Sequence, residues 1–268
     1  MRAAISAGLA AVLTLGGGVA SVAGQSDSGP DITSQLLFFH RHASGLVLSA
    51  VLLALGALAM APPLYYLYRA VKARKPEIPR VALYAALFGP IAVAVSQIAA
   101  QLILLDKAAT FAAHGAQTYD EAKRAIDDSA LRGAQGLVLA GQLSLGFGFV
   151  MVSLNAMRVG LLTRFMGVLG MIVGVLFVIP LGTLQIVQPF WLGALAALFA
   201  GRWPNGVPPA WSSGQAEPWP TQQELREARD RAAGKTVAPE PAPAAAAVPA
   251  PQARTHPASK KRKRKKRR

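Results

Sequence analysis

The segment from Phe165 to Gly201 constrains this chain most, because it contains no charged residue and lies between Arg164 and Arg202. A transmembrane helix needs about 20 apolar residues, so this segment is too long for one crossing and long enough for two. The predicted reversal lies between Pro180 and Pro189. The polar groups of this predicted turn would come from Gly182, Thr183, Gln185 and Gln188. The sequence therefore predicts a helical hairpin in lipid.

The composition of the whole chain agrees with a membrane protein. Hydrophobic residues make up 53% of it and charged residues 15%, whereas soluble domains carry about 25% charged residues. The chain has no cysteine, which excludes disulfides, thiolate metal sites and a cysteine nucleophile. We expect an all-α, polytopic transmembrane helical bundle.

Six apolar runs divide the first 201 residues into a predicted transmembrane domain. The predicted spans are residues 3–24, 44–68, 81–105, 135–157, 165–181 and 184–200, with a loop at 106–134. Basic residues concentrate at 69–80, at 158–164 and in the C-terminal segment. Because basic loops stay on the cytoplasmic side, we expect both termini in the cytoplasm and the protein in a bacterial plasma membrane.

The first apolar run has two interpretations. Ser21-Val22-Ala23 is an acceptable signal-peptide cleavage site followed by a polar segment, and cleavage would leave five spans. Alternatively the run is retained as a first span, and the triplet Gly16-Gly17-Gly18 would let another helix approach closely.

Two polar segments between the spans are predicted to contain short helices. Residues 31–42 suit a helix at the membrane surface. Thr118 and Glu121 have the spacing of a capping box and predict a helix over residues 119–131. Asp127 and Asp128 then fall on a solvated helix face.

Metal and cofactor chemistry is not indicated. His40, His42 and His114 lie on one predicted side of the membrane, but they lack the further ligands that a metal site requires. The sequence also lacks the nucleophile elbow, the HExxH motif, the P-loop and the dinucleotide fingerprint. We therefore expect a protein that is not an enzyme and has no cofactor.

Four polar residues within predicted spans form a candidate intramembrane site: Gln97, Gln101, Gln142 and Asn155. Gln97 and Gln101 share one helix face because they are four residues apart. Polar side chains in lipid face other helices, where they hold helices together. The alternative is a polar site between spans 3 and 4, as in a small transporter or ligand-binding membrane protein.

The chain after the last span changes in composition. Residues 202–234 form a predicted juxtamembrane segment with Trp203, Trp211 and Trp219 among prolines, followed by a short helix that a capping box at Thr221 and Glu224 introduces. Residues 235–268 form a predicted disordered Ala/Pro linker and polybasic tail. In an extended polyproline conformation, residues 236–259 would reach on the order of 75 Å.

The polybasic tail is the candidate binding site for polyanions. Residues 202–268 hold 15 of the 28 Lys/Arg but 5 of the 13 Asp/Glu. Anionic lipid attracts such a tail, RNA or DNA binds it through phosphates, and solvated charge without a target is the third interpretation. Its last nine residues are Lys260, Lys261, Arg262, Lys263, Arg264, Lys265, Lys266, Arg267 and Arg268.

The region between the fourth and fifth spans carries a family resemblance. Residues 155–170 fit the pattern N-A-x-R-x-G-L-L-x-R-x-x-G-x-L-G, and Gly201-Arg-Trp-Pro follows the sixth span. Over about residues 1–220 the chain resembles an uncharacterised bacterial family of multi-span membrane proteins, which carries a domain-of-unknown-function designation. The resemblance implies that the first span is kept, and it implies no activity. In the turn, Arg158 and Arg164 are predicted to bind inner headgroups, and Gly160 to permit the reversal.

These observations favour a non-enzymatic scaffold or interaction protein of the membrane. Its partners would be the lipid bilayer and, through the tail, anionic lipid or nucleic acid. The small transporter remains the alternative.

Overall fold

The computed structural model describes residues 1–25, 29–114, 116–179, 186–204, 206–217, 226 and 229–232. The described elements are all helical, with no strand among them. They are α1 (Arg2–Gln25), α2 (Ile32–Arg41), α3 (Ala43–Arg74), α4 (Arg80–Ala113), α5 (Tyr119–Ile126), α6 (Ser129–Arg158), α7 (Arg164–Val178), α8 (Val187–Phe199) and α9 (Pro209–Ser213). Residues 1–219 form one compact unit and residues 220–268 a second, in which residues 229–232 are helical.

Four helices are long and apolar enough to cross a membrane: Arg2–Ser21 of α1, and the whole of α3, α4 and α6. Two shorter apolar helices, α7 and α8, complete the bundle. The predicted all-α membrane fold is confirmed at this level. Residues 180–185 of the reversal predicted between Pro180 and Pro189 lie outside the described residues. Gln188 and Pro189, predicted to belong to this reversal, instead lie in the first turn of α8.

The long helices exceed their predicted spans. α3 has 32 residues, α4 has 34 and α6 has 30, which at about 1.5 Å per residue gives about 45–51 Å. A bilayer core is about 30 Å thick, so each of these helices continues beyond it. Pro62, Pro63 and Pro90 lie inside helices without ending them.

The helices pack as antiparallel neighbours: α1 contacts α3 and α8, α4 contacts α3 and α6, and α6 contacts α7. Glycines set the closest approaches. A Cβ at Gly89 would lie 2.5 Å from the backbone nitrogen of Leu145, and one at Gly141 would lie 2.8 Å from that of Val93. Small residues let backbones approach in this way where lipid supplies no hydrophobic drive.

Helix α1 is an integral part of the bundle. The Ser6 hydroxyl donates to the Ala59 carbonyl at 2.8 Å, and the Ser49 hydroxyl donates to the Gly17 carbonyl at 2.9 Å. Ala7 and Ala10 are fully buried. The middle glycine of the predicted close-approach triplet therefore contacts α3.

An aromatic centre fills the space between α6, α7 and α8. Trp191 is fully buried and donates from Nε1 to the Met166 carbonyl at 2.9 Å. The Phe149 ring lies 5.3 Å from the Trp191 ring and 5.4 Å from that of Phe177, between centroids. The indole thus joins α8 to α7 while its hydrogen-bonding capacity is satisfied.

A separate small apolar cluster, here called the cap, lies at one end of the bundle and contains Leu36, Ala108, Phe111 and Ala122. These residues belong to α2, the last turns of α4 and α5. The predicted helix near residues 31–42 is confirmed as α2, which Asp31 caps. Its apolar residues pack on protein in the cap.

The cap corrects two predicted boundaries in the loop 106–134. Helix α4 passes the expected end at Leu105 and continues to Ala113, because Ala108 and Phe111 are buried against α2 and α5. The predicted helix over residues 119–131 is also wrong in length. The Thr118–Glu121 capping box is confirmed, but α5 ends at Ile126 and α6 begins at Ser129.

Asp128 causes this break, since it is the N-cap of α6. Its Oδ1 accepts from the backbone N–H groups of Ala130 at 2.8 Å and Leu131 at 3.3 Å. Its Oδ2 pairs with Nζ of Lys107 at 2.8 Å. The expectation that Asp128 lies on a solvated helix face is therefore wrong: its carboxylate joins the start of α6 to α4.

The opposite end of the bundle is the basic end, where α3, α6 and α8 terminate and α4 and α7 begin. Its arginines are Arg69, Arg74, Arg80, Arg158, Arg164 and Arg202. No acidic residue occurs in α3, α6 or α8. The two ends therefore differ in charge as well as in structure.

Candidate functional site

Two helix ends at the basic end have the same backbone geometry. Gly160 follows α6 with a φ of 78°, and the N–H groups of Gly160 and Leu161 donate to the carbonyls of Met157 and Ala156. This pair of bonds is a Schellman motif, which favours glycine because its φ is positive. The predicted role of Gly160 in the reversal is confirmed.

Helix α8 ends in a second Schellman motif. Gly201 has a φ of 71°, and the N–H groups of Gly201 and Arg202 donate to the carbonyls of Leu198 and Ala197. The chain turns sharply after α8 and enters a segment, here called the strap, that comprises residues 203–217. The strap carries the short helix α9.

Trp211 of the strap attaches it to three elements of the bundle. Its Nε1 donates to the Leu161 carbonyl at 2.9 Å. Its ring is nearly parallel to that of Tyr66, with centroids 5.8 Å apart and an interplanar angle of 10°. The Phe199 ring lies edge-on at 5.8 Å. One indole therefore contacts α3, the α6–α7 turn and the end of α8.

Arg74 holds the strap from the other side. Its guanidinium donates from Nε to the Ala210 carbonyl at 2.9 Å and also from Nη2 to the same oxygen. A third bond runs from Nη1 to the Ala70 carbonyl at 2.8 Å. The guanidinium carbon lies 5.7 Å from the centroid of Trp211, within the range of a cation–π interaction.

The end of the strap lies on the α6–α7 turn. The Glu217 N–H donates to the Val159 carbonyl at 3.2 Å. The backbone oxygen of Glu217 occupies the place that a Cβ at Gly160 would take. Glu217, the last described residue of the strap, is therefore held beside the turn.

A cavity of about 150 Å³ lies between the strap and the bundle. It is lined by Tyr66, Leu198, Phe199, Gly201, Val207 and Trp211. Both polar and apolar atoms contribute to its surface. This mixture distinguishes it from a second, almost wholly apolar groove of about 260 Å³ between α1 and α8.

The predicted intramembrane polar residues do not form one site. Gly89 lies against Leu145 and Gly141 against Val93, so Gln142 is level with the middle of α4. Asn155 is 13 residues further along α6, or about 20 Å at 1.5 Å per residue. Its side-chain nitrogen donates to the Met151 carbonyl at 2.8 Å. The structure thus separates Asn155 from Gln142, whereas Gln97 and Gln101 are half-buried neighbours on α4.

Two buried hydroxyl groups have no hydrogen-bond partner in the described part of the chain, those of Tyr68 and Ser153. Ser153 Oγ lies where a Cβ at Gly170 would be, and that position is also 2.9 Å from Nε1 of Trp191. The contact belongs to the packing of α6 against α7. A Cβ at Gly174 would lie 2.6 Å from the Gly146 carbonyl.

Among the residues that the structure describes, no group of three or more His, Asp or Glu side chains is arranged to hold a metal ion. The His42 ring instead stacks on Phe38 at 4.1 Å between centroids, with Nδ1 3.1 Å from the Phe38 carbonyl. The polybasic residues Lys260–Arg268, the second capping box and Trp219 lie outside the described residues.

Sequence reasoning missed the contacts that hold the strap. The sequence shows Arg74 only as one of several charges in a basic segment, whereas in the structure its guanidinium binds a carbonyl 136 residues away. The available signal was Trp211, an indole in a proline-rich segment beside a membrane domain, since a buried indole N–H requires a partner.

Comparison of the chain with protein-family models, with curated proteins and with solved structures finds no match. The geometry and the charge of the chain itself are therefore the basis for a function.

Proposed function

We propose that this chain is a bacterial plasma-membrane protein with six crossings and both termini in the cytoplasm. It acts without catalysis, as an interaction protein whose C-terminal polycation binds anionic lipid surfaces. The observation that carries this proposal is the strap. Arg74, Trp211 and the Val159–Glu217 bond hold the described residues of the strap on the basic end, and the chain continues from the strap toward the polycation.

The packing of α7 and α8 supports the proposed six crossings. α7 and α8 have 15 and 13 residues, or about 20 Å each, which is less than a bilayer core of about 30 Å. Both helices nevertheless pack within the bundle through Gly174 and Trp191. We count them as the two arms of the hairpin that the uncharged segment predicts.

Retention of the first span is supported by the contacts of α1. Cleavage after Ala23 would remove the hydrogen bonds of Ser6 and Gly17 to α3. It would also expose the face of α3 that surrounds Gly56, where a Cβ would lie 2.7 Å from Thr14. The family resemblance in residues 155–170 agrees with a retained span.

The charges at the basic end support the proposed orientation. Arg69, Lys72, Arg74, Lys75 and Arg80 occur within a short stretch at the α3–α4 junction, and Arg158 and Arg164 flank the α6–α7 turn. Short basic loops of this kind stay in the cytoplasm. The cap, which carries α2 and α5, then lies on the outer side.

Anionic lipid is the favoured target of the tail. Each Lys or Arg near an anionic leaflet contributes about 1 kcal/mol, and Lys260–Arg268 provides nine consecutive cations. Nucleic acid is the competing polyanion, and its binding would fall steeply with salt.

The test uses full-length protein in neutral nanodiscs, so that only the tail can bridge to added liposomes. The matched control is the full-length chain with Lys260–Arg268 replaced by glutamine, and a truncation after Gly234 is the second control. Capture of phosphatidylglycerol liposomes, but not phosphatidylcholine liposomes, by the unmodified chain alone supports the proposal. Equal capture by the control, or RNA capture at physiological salt without liposome capture, contradicts it.

A further inference from the structure

The cavity at the basic end is built from aromatic rings. Tyr66 and Trp211 form one wall, and Phe199 lies edge-on to both, 5.0 Å from the Tyr66 centroid and 5.8 Å from that of Trp211. Leu198, which is buried, forms an apolar floor. Val207 of the strap, 42% exposed, also lines the cavity. The rings belong to three elements, so the cavity exists only when the strap is attached.

The surroundings of this cavity are cationic. Arg202 follows the lining residue Gly201 directly and is exposed. Arg69 lies one helical turn beyond Tyr66, with Nη1 3.2 Å from the Tyr65 hydroxyl. α3, α8 and residues 200–211, which line the cavity, contain no Asp or Glu. The one acid of the strap, Glu217, is exposed and lies at the α6–α7 turn. A ligand with a negative group is therefore favoured at its entrance.

The size of the cavity restricts the kind of ligand. Sites that enclose a soluble small molecule measure about 300–1,000 Å³, whereas this cavity measures about 150 Å³. It accommodates part of a ligand whose remainder lies elsewhere. A phospholipid meets this condition, since its acyl chains stay in the bilayer.

The position of the cavity also favours a phospholipid. Tyrosine and tryptophan concentrate at headgroup level in membrane proteins, and basic pockets between helices at the cytoplasmic side bind anionic headgroups. Tyr65, Tyr66 and Trp211 lie with Arg69 and Arg202 at the basic end. The rings would contact the glycerol region and the arginines the phosphate.

We propose that the cavity formed by Tyr66, Phe199, Val207 and Trp211 binds one anionic phospholipid, with its headgroup phosphate at Arg202. The lipid joins the strap to α3 and α8 from the bilayer side. This site belongs to the folded bundle and does not use the polybasic tail, and it rests on the proposed function only for the membrane orientation of the basic end.

The test is native mass spectrometry of protein released from nanodiscs that contain equal amounts of phosphatidylglycerol and phosphatidylcholine. The chain is measured unmodified and with Lys260–Arg268 replaced by glutamine, which removes tail-bound lipid. In the second background we expect one phosphatidylglycerol per chain. Arg202→Gln should weaken its retention about fivefold, as expected for one cation near a phosphate.

Val207→Trp fills the cavity from a surface position and should abolish retention without changing the melting temperature measured by circular dichroism. Lys72→Gln is the matched control, because it removes one exposed charge from the same end of α3 without lining the cavity. Retention that persists in Val207→Trp, or that falls equally in Lys72→Gln and Arg202→Gln, overturns the proposal. Preferential retention of phosphatidylcholine also overturns it, since the rings would then bind a quaternary ammonium group.

Discussion

Arg74 donates a hydrogen bond from Nε to the backbone carbonyl of Ala210 at 2.9 Å, across 136 positions of the chain. A basic residue at the end of a membrane helix is ordinarily explained by topology. Here the same charge also satisfies a carbonyl of the strap and lies over the Trp211 ring. Arg74 therefore contributes a tertiary contact that holds the strap, beyond its charge at the end of α3.

Substitution of Arg74 should release the strap. Arg74→Gln removes charge-assisted hydrogen bonds worth about 1.5–3 kcal/mol each, so tryptic cleavage after Arg202 should become at least about tenfold faster. Arg74→Lys should have an intermediate effect, since lysine lacks the planar fork. Cleavage is followed by mass spectrometry of protein in nanodiscs.

Lys72→Gln is the control for this series, because Lys72 is exposed on the same helix. Its cleavage rate should equal that of the unmodified chain. An equal acceleration in both variants would mean that charge alone, and not the bond to Ala210, holds the strap.

Gly160→Ala should destabilise the protein more than Gly201→Ala. Both glycines have a positive φ, 78° and 71°, and a left-handed conformation costs other residues about 1–2 kcal/mol. Only at Gly160 would the new Cβ meet the backbone oxygen of Glu217, whereas Gly201 has nothing within 4 Å. Melting temperatures in detergent measure the difference. Equal decreases in melting temperature for the two variants would show that the strap does not contact the turn.

Helix packing depends on the contact between Gly146 of α6 and Gly174 of α7. A Cβ at Gly174 would lie 2.6 Å from the Gly146 carbonyl, and backbone cannot move aside as a side chain can. We expect Gly174→Ala to cost about 1–3 kcal/mol of unfolding free energy, the range for overpacking.

The matched control for helix packing is Gly136→Ala on α6, where nothing lies within 4 Å. Alanine in an open helix position should stabilise the protein by about 0.5–1 kcal/mol. Chemical denaturation in mixed micelles provides both values. A neutral Gly174→Ala would mean that α6 and α7 are further apart than the structure shows.

The ion pair between Lys107 and Asp128 predicts that the stability of the protein depends on pH. The hydrogen bond from Lys107, together with the N–H groups of Ala130 and Leu131, lowers the pKa of Asp128 from its ordinary value of 3.8. A carboxyl whose pKa is lower in the folded state stabilises the protein above the unfolded pKa, and this contribution disappears as the pH falls through the folded pKa. The melting-temperature difference between the unmodified chain and Asp128→Asn should therefore be largest near pH 7 and shrink below about pH 4.

Asp128→Asn and Asp128→Ala separate the two roles of this residue. Asparagine still caps a helix but loses the ion pair, whereas alanine loses both. We expect the melting temperature to decrease from the unmodified chain to Asp128→Asn and again to Asp128→Ala. Lys107→Gln should add nothing to Asp128→Asn, because residues of one pair are not additive.

Prediction from sequence succeeded where the cause is local. Apolar runs placed the long helices, since uninterrupted apolar segments of that length suit a bilayer. Thr118 and Glu121 identified the start of α5, and Gly160 identified the turn after α6. Each of these depends on a few adjacent residues.

Prediction failed where distant contacts extend or interrupt a helix. The charges at Asp106 and Lys107 suggested the end of a span, yet α4 continues to Ala113 because α2 and α5 cover its last turns. What the sequence could not supply is the pairing of α4 with α6, in which Gly89 lies against Leu145 and Gly141 against Val93.

The sequence by itself therefore determined that this is a helical membrane protein with one basic end and a polycationic C-terminus. The reason is that hydropathy and charge depend only on which residues occur in each segment of the chain. Only the tertiary structure decided that Arg74 and Trp211 hold the strap and that Asp128 joins α6 to α4. These contacts join segments far apart in the chain. Two of the acceptors are the backbone carbonyls of Ala210 and Leu161, and every residue has such a carbonyl, so the sequence does not mark which one will be used.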